Sequence, residues 1–334
     1  MQENNLTILI PIYHPTLTIN EILKNLYKQK QQNFNLVIAI DKPSESELYE
    51  LEKAKTFFSN RLQIIINTNH QHIDSIISSC LNITKTKYTF IMYSYIEIEY
   101  DFISKINKLL LEFKDVDIIS FDAYTKGISW MNFNKYPKQN KEINIHIEEE
   151  NVAKIIPFMY NFIAKTSLLI DATNQHNNKH LSEQYSPNIL FKTLINANKI
   201  LLTKDIQVID WNYDVLLWSV KSLLESWKDI ESEYSMHEFT TPFSESYYYL
   251  AKFLNIAYCF AGFLGQCQFK SNTKNYLTLK NLKKHLESLI SENIEEWKNS
   301  KIINDFLEKN RIQQLFELIP NSKKWSLIFK KIIW

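Results

Sequence analysis

Glycine is almost absent from this chain: three residues in 334, at Gly127, Gly262 and Gly265. Phosphate loops of the G-x-G-x-x-G and Walker types need closely spaced glycines, which let backbone N–H groups approach a phosphate. Both types are excluded, so a nucleotide held here must be held by strand ends and side chains. Cysteine is as sparse. Cys80, Cys259 and Cys267 sit in apolar helical contexts, build no disulfide framework and read as buried free thiols of a reducing compartment. No apolar stretch reaches the roughly 18–20 residues that span a bilayer. The stretch 250–264 comes nearest, and Lys252 and Asn255 interrupt it. The opening residues carry no basic-then-apolar leader. Lys and Arg number 38 against 37 Asp and Glu, so no global field draws nucleic acid. Together these absences predict a cytoplasmic protein without a nucleic-acid partner.

What is present is apolar patterning, 45% hydrophobic residues, enough to core one large domain or two ordinary ones. Leu6–Tyr13 is a short apolar run stopped by Pro11 and by His14-Pro15. Ile19, Ile22, Leu23 and Leu26 then fall on one helix face, and Leu36–Ile40 is a second apolar run, left through Asp41-Lys42-Pro43-Ser44. Strand, helix, strand makes a parallel, right-handed βαβ unit. Ligands of such sheets sit beyond the carboxyl ends of the strands, which places Tyr13 and Asp41 at one rim. The alternation continues: helix 45–59, strand 62–66, helix 73–83, strand 88–92, helix 101–113 with Asp101 as an acidic N-cap, and strand 116–121. Residues 122–151 read as an irregular polar insertion. Extended sequence at 155–164, a short helix at 166–172 and a helix at 187–196 follow, and 200–202 and 206–210 read as edge strands. Everything after about Tyr213 has helical spacing. The expected architecture is α/β, a mostly parallel sheet flanked by helices over 1–214, with an all-helical unit at 215–334.

The opening also resembles the nucleotide-sugar-binding half of family 2 glycosyltransferases of the GT-A fold. That family begins with an apolar strand ending Pro-x-Tyr-Asn, a helix, and a strand ending Asp-Asp-Gly-Ser. Here the matching stretches are Pro11-Ile12-Tyr13-His14 and Asp41-Lys42-Pro43-Ser44, which keep the first aspartate and the serine. The similarity resumes without gaps at Tyr88–Met92, then Tyr93-Ser94-Tyr95, then Asp101-Phe102-Ile103. It covers the first third of the chain well and thins out toward residue 214. The resemblance implies a nucleotide-sugar donor bound by Pro11, Tyr13, Asp41, Ser44, Asn69, Tyr93, Ser94 and Tyr95. It also implies inverting transfer to a bacterial surface glycan or glycolipid. Glu183, in Glu183-Gln184-Tyr185, matches the family's acidic base before a late helix.

Such transfer needs the leaving diphosphate's charge stabilised, usually by a divalent cation, and a carboxylate to take the acceptor's proton. The family's Asp-x-Asp has become Tyr93-Ser94-Tyr95, and a neutral phenol is a poor ligand for Mg²⁺ or Mn²⁺. Three readings stay open. Glu97 and Glu99, on one side of an extended segment, replace the pair as metal ligands. Or no metal is used, and tyrosine hydroxyls with Lys42 or Lys126 meet the phosphates. Or the chain is a non-catalytic relative that binds a partner transferase or glycan. Glu97 and Glu99 also read as a solvated acidic loop, and Glu183 as a helix cap or surface charge. A nucleotidyltransferase is the weaker third class, since no Gly-rich basic loop follows the first strand.

His176 and His180 have i, i+4 spacing, but the Asn- and Gln-rich sequence around them and the missing His-Glu-x-x-His frame argue against zinc. His180 and Trp130 are the acceptor-site candidates, Trp130 because sugar C–H faces stack on aromatic rings. Trp211 reads as core. Residues 323–334 interleave four lysines with Trp325, Leu327, Ile328, Phe329, Ile332, Ile333 and Trp334. This fits a helix lying against anionic lipid on the inner face of the cell membrane, or one docked on the body or on a second copy.

Overall fold

The structure is a computed structural model. It describes residues 4–12, 17–125, 139–145, 147–153, 155, 159–174, 187–211, 226–232, 247–256, 284, 288, 291 and 293–309. Its centre is a nine-stranded sheet: β1 (Leu6–Ile12), β2 (Asn35–Asp41), β3 (Leu62–Asn67), β4 (Tyr88–Ile91), β5 (Ile96–Ile98), β6 (Ile118–Thr125), β7 (Lys141–Asn144), β8 (Phe162–Lys165) and β9 (Lys199–Asp210). The order across it is β3-β2-β1-β4-β8-β6-β9-β5, with β7 also on β9. β1 to β4 are mutually parallel, and β8 runs antiparallel between β4 and β6. All seven residues of β1 are buried, the mark of a strand covered on both faces rather than an alternating one.

The described helices up to residue 211 are α1 (Ile19–Tyr27), α2 (Glu45–Phe58), α3 (Ile73–Ile83), α4 (Phe102–Glu112), α5 (Glu149–Ala153), α6 (Thr166–Asn174) and α7 (Pro187–Ile195), and a further helix spans Lys301–Lys309. α1 begins where Thr18 caps it, in a reciprocal capping box with Glu21. Its buried residues are Ile19, Ile22, Leu23 and Leu26, the face its spacing predicts. The crossovers through α1 and α2 step outward along the sheet, and the one through α3 returns past β1. Right-handed connections therefore put α1 and α2 on one face and α3 on the other. The reversal creates a topological switch point between β1 and β4, where α/β sheets bind ligands.

The sheet departs from the sequence expectation in its second half. Residues 200–202 and 206–210 are not edge strands. They belong to one strand, β9, which pairs with β6 along its length, with β7 at its start and with β5 at its end. The register jumps from Phe121↔Thr203 to Asp122↔Gln207, so a bulge in β9 lets the two halves serve different partners. The insertion 122–151 likewise contains the end of β6, β7 and α5. Asp101 stands at the α4 N-cap position but makes no side-chain cap bond. Its carboxylate is drawn instead to Lys105, at 3.1 Å.

The described helical residues beyond 225 join the same buried cluster as the sheet. Trp227 packs on Phe191 of α7 with ring centroids 4.7 Å apart, and its indole N–H donates to Asn255 Oδ1 at 2.9 Å. Phe253 meets Trp297 edge-on at 5.1 Å. Cys80 is buried, and burial pushes its thiol up to about 12, consistent with an inert core residue.

Candidate functional site

The carboxyl rim of the parallel strands is built first by what β1 lacks. Leu9 C=O accepts from Met92 N–H at 2.9 Å, joining β1 to β4. The next β1 residue on that side is Pro11, whose nitrogen carries no hydrogen. The ladder therefore stops at Leu9↔Ile91, and the strands are free to part at the switch point. Pro11 itself is buried within β1 opposite Ala39, a shaping residue rather than an exposed contact.

Asp41 ends β2 at this rim, with its side chain only 4% exposed. Asn67 Nδ2 donates to its Oδ1 at 2.8 Å, and Gln71 backbone N–H donates to its Oδ2 at 2.8 Å. His70 Nδ1 stands 3.8 Å from the same oxygen. Asp41 thus ties the end of β2 to the loop after β3. A carboxylate offers about four lone-pair sites, so these two bonds leave acceptor capacity for an incoming N–H or O–H. Lys42 follows in the left-handed region, φ 46°, fixed by its N–H bond to Asn67 C=O at 2.9 Å. Such a conformation is costly for a non-glycine residue and is typical of site loops. Ser44 caps α2: its hydroxyl donates to Glu47 Oε2 at 2.7 Å and accepts from Glu47 N–H at 3.3 Å. That capping box accounts for the serine without a ligand. Asn69 is exposed in the bend after β3, beside the residues that grip Asp41.

At the end of β4 the chain turns at once, with Ile96 N–H bonded to Tyr93 C=O at 3.0 Å, and returns as β5. Tyr93 and Tyr95 stack inside this turn, centroids 5.7 Å apart and planes 12° from parallel. Tyr160 meets Tyr93 edge-on at 6.3 Å and donates its hydroxyl to Asp210 Oδ2 at 2.9 Å. Tyr93 and Ser94 are buried and Tyr95 is partly so. Burial raises both phenols, with Asp74 adding to the shift at Tyr93 and Asp210 at Tyr95. The Tyr93 hydroxyl has no hydrogen-bond partner among the described residues. Tyr93 and Ser94 are thus enclosed by the body of the chain, and Tyr95 partly so.

Glu97 and Glu99 are engaged elsewhere. The Trp211 indole N–H donates to Glu97 Oε2, and the Trp211 backbone N–H donates to Tyr95 C=O at 3.2 Å. The Glu99 carboxylate holds the Lys105 ammonium, which Asp101 shares. Burial opposes the charge on Lys105, but bonds to Glu99 and Asp101 outweigh it and raise the ammonium. Among the described residues, no group of three His, Cys, Asp or Glu is placed to hold a metal ion.

No protein-family profile matches this chain, and neither does any curated protein. Solved structures do. Residues 1–349 of S. aureus TarS, in complex with UDP-GlcNAc, superpose with a TM-score of 0.60 at 13% identity, covering 98% of this chain and 90% of that one. The chain spans 54% of the longer TarS structure. The mannosyltransferase PcManGT from Pyrobaculum calidifontis, in complex with GDP-Man and Mn²⁺, superposes with a TM-score of 0.53 at 11% identity, covering 98% and 85%. The fold is GT-A-like.

On this GT-A-like sheet the residues at the end of β4 do not fit a divalent cation. Mg²⁺ and Mn²⁺ take carboxylate oxygens, and the positions offer two phenols whose ionisation is suppressed. Tyr13, Lys126, Trp130, His176, His180, Glu183 and 323–334 lie outside the described residues. Asp74, Tyr160 and Asp210 carry no motif that singles them out, and Trp211, expected in the core, bonds to Glu97. Asp210 carried a signal, as the acidic end of the alternating run Ile206-x-Val208-x-Asp210.

Proposed function

We propose that this chain is a glycosyltransferase that binds a nucleotide-sugar donor at the carboxyl rim of β1, β2 and β4. The observation that carries the reading is Asp41, a buried carboxylate with acceptor capacity left, set beside the switch point of a GT-A-like sheet. Fold neighbours solved with UDP-GlcNAc and GDP-Man support a donor of that class. In this reading residues 1–214 bind donor and acceptor, and Glu183 is the base of an inverting transfer. Trp130 and His180 face a surface glycan or glycolipid. Residues 323–334 rest on anionic lipid, and no helix among the described residues is long and apolar enough to cross a membrane.

A thermal-shift screen against UDP-, GDP-, CDP- and TDP-sugars tests the reading. The best nucleotide then goes to titration calorimetry with Asp41→Ala. Loss of a charge-assisted hydrogen bond predicts binding weaker by about 1.5–3 kcal/mol. Unchanged affinity in a folded variant removes Asp41 from the site. The stacked Tyr93–Tyr95 pair favours a second reading, a non-catalytic GT-A-like subunit. Failure of every nucleotide to bind would select it.

A further inference from the structure

Where the GT-A pattern carries two carboxylates, this chain carries Tyr93 and Tyr95. Tyr93 and Tyr95 fill the turn after β4 as a parallel stack, closed at its edge by Tyr160. Glu97 is bonded to the Trp211 indole and Glu99 to Lys105, so neither carboxylate faces the cleft without a donor of its own. Freeing Glu97 for a metal would break its bond to the Trp211 indole, and freeing Glu99 would take from Lys105 one of its two carboxylates. Asp210, whose charge acts on Tyr95, accepts from the Tyr160 hydroxyl at 2.9 Å.

We infer that the rim after β4 takes the donor's diphosphate without a protein-bound divalent cation. The inference rests on the proposed donor site for its nucleotide half. Its metal half concerns the protein alone. Two measurements on the full chain separate them. First, Mn²⁺ is titrated into the nucleotide-free protein, and the free ion is followed by electron paramagnetic resonance. The expected result is no stoichiometric loss of the free-ion signal at millimolar Mn²⁺. One bound ion per chain, lost in Glu97→Gln or Glu99→Gln, overturns the inference. Second, the best nucleotide is titrated in EDTA and in Mn²⁺. Dissociation constants within about threefold of each other support the inference, and tightening by more than about tenfold in Mn²⁺ overturns it. If no nucleotide binds in either buffer, the donor-site reading fails while the first measurement still decides the metal question.

Discussion

Replacing Tyr93 by phenylalanine should stabilise this protein. The substitution removes one hydroxyl and leaves the ring stacked on Tyr95 and edge-on to Tyr160. That hydroxyl is buried and has no hydrogen-bond partner among the described residues, on a residue only 4% exposed. A buried polar group left unbonded costs about 1–3 kcal/mol. The gap left by a single oxygen returns roughly 1 kcal/mol or less of that gain. A net gain of about 1 kcal/mol is therefore expected, a rise in melting temperature of about 1–2 °C for a chain of 334 residues. Urea unfolding followed by tryptophan fluorescence measures it, with an unchanged slope confirming that only stability has moved. A variant less stable than the parent by about 1 kcal/mol would refute the reasoning, because the hydroxyl must then be bonded in the folded state. Nucleotide affinity should stay the same in this variant, since the group is enclosed by the body of the chain.

Four further outcomes follow from the bonding and burial around the sheet. Asp117 accepts from Lys165 at 2.7 Å and from the backbone N–H groups of Asn198 and Lys199 at 2.6 and 3.0 Å, so Asp117→Ala should cost about 2–3 kcal/mol by urea unfolding. Burial alone would raise the Asp117 carboxyl, but these bonds hold it below the usual range. Its contribution is therefore full above the unfolded aspartate value near 4 and is lost as pH falls through the lower folded value, an acid limb that Asp117→Asn should flatten. Tyr93 and Tyr95 are shifted the other way. Their contribution is full below the free tyrosine value near 10 and falls as pH rises beyond it, so their phenols should ionise, by absorbance at 295 nm, only as the chain unfolds. Trp211→Phe should leave Glu97 without its indole donor and destabilise the chain by about 1.5–3 kcal/mol, read by thermal unfolding.

The first half of the sheet was legible because its strands and helices are local patterns. Leu36–Ile40 and Ile73–Ile83 carry their burial in their own spacing. β5 was not legible, since three residues with Glu97 at their centre read as an acidic loop. What makes them a strand is β9, whose Val208–Asp210 lies far along the chain. Asp41 could be placed at the rim because a strand end has one location in a parallel sheet. That Ser44 is a helix cap was written in Ser44-x-x-Glu47, a signal overshadowed by its likeness to a donor-binding serine. The tyrosines could be named as replacements for carboxylates, but their surroundings could not. Tyr160 packs on Tyr93 and bonds to Asp210, contacts that no spacing near residue 93 reveals.

The dependence of β5 on β9 also orders events during synthesis. Once about a hundred residues have emerged, β1 to β4 can pair with one another in the ladder they keep in the finished protein. The turn holding Tyr93 and Tyr95 is by then complete in sequence, but its enclosing strand, ring and carboxylate are not. At about 5–20 residues per second, roughly 110 further residues take some 6–20 s to arrive. Through that interval the young chain carries a parallel unit whose last aromatic turn is bare, a nascent edge exposed to the wrong partners. Asp210 and Trp211 come last of the described sheet residues, and their arrival converts that edge into an interior.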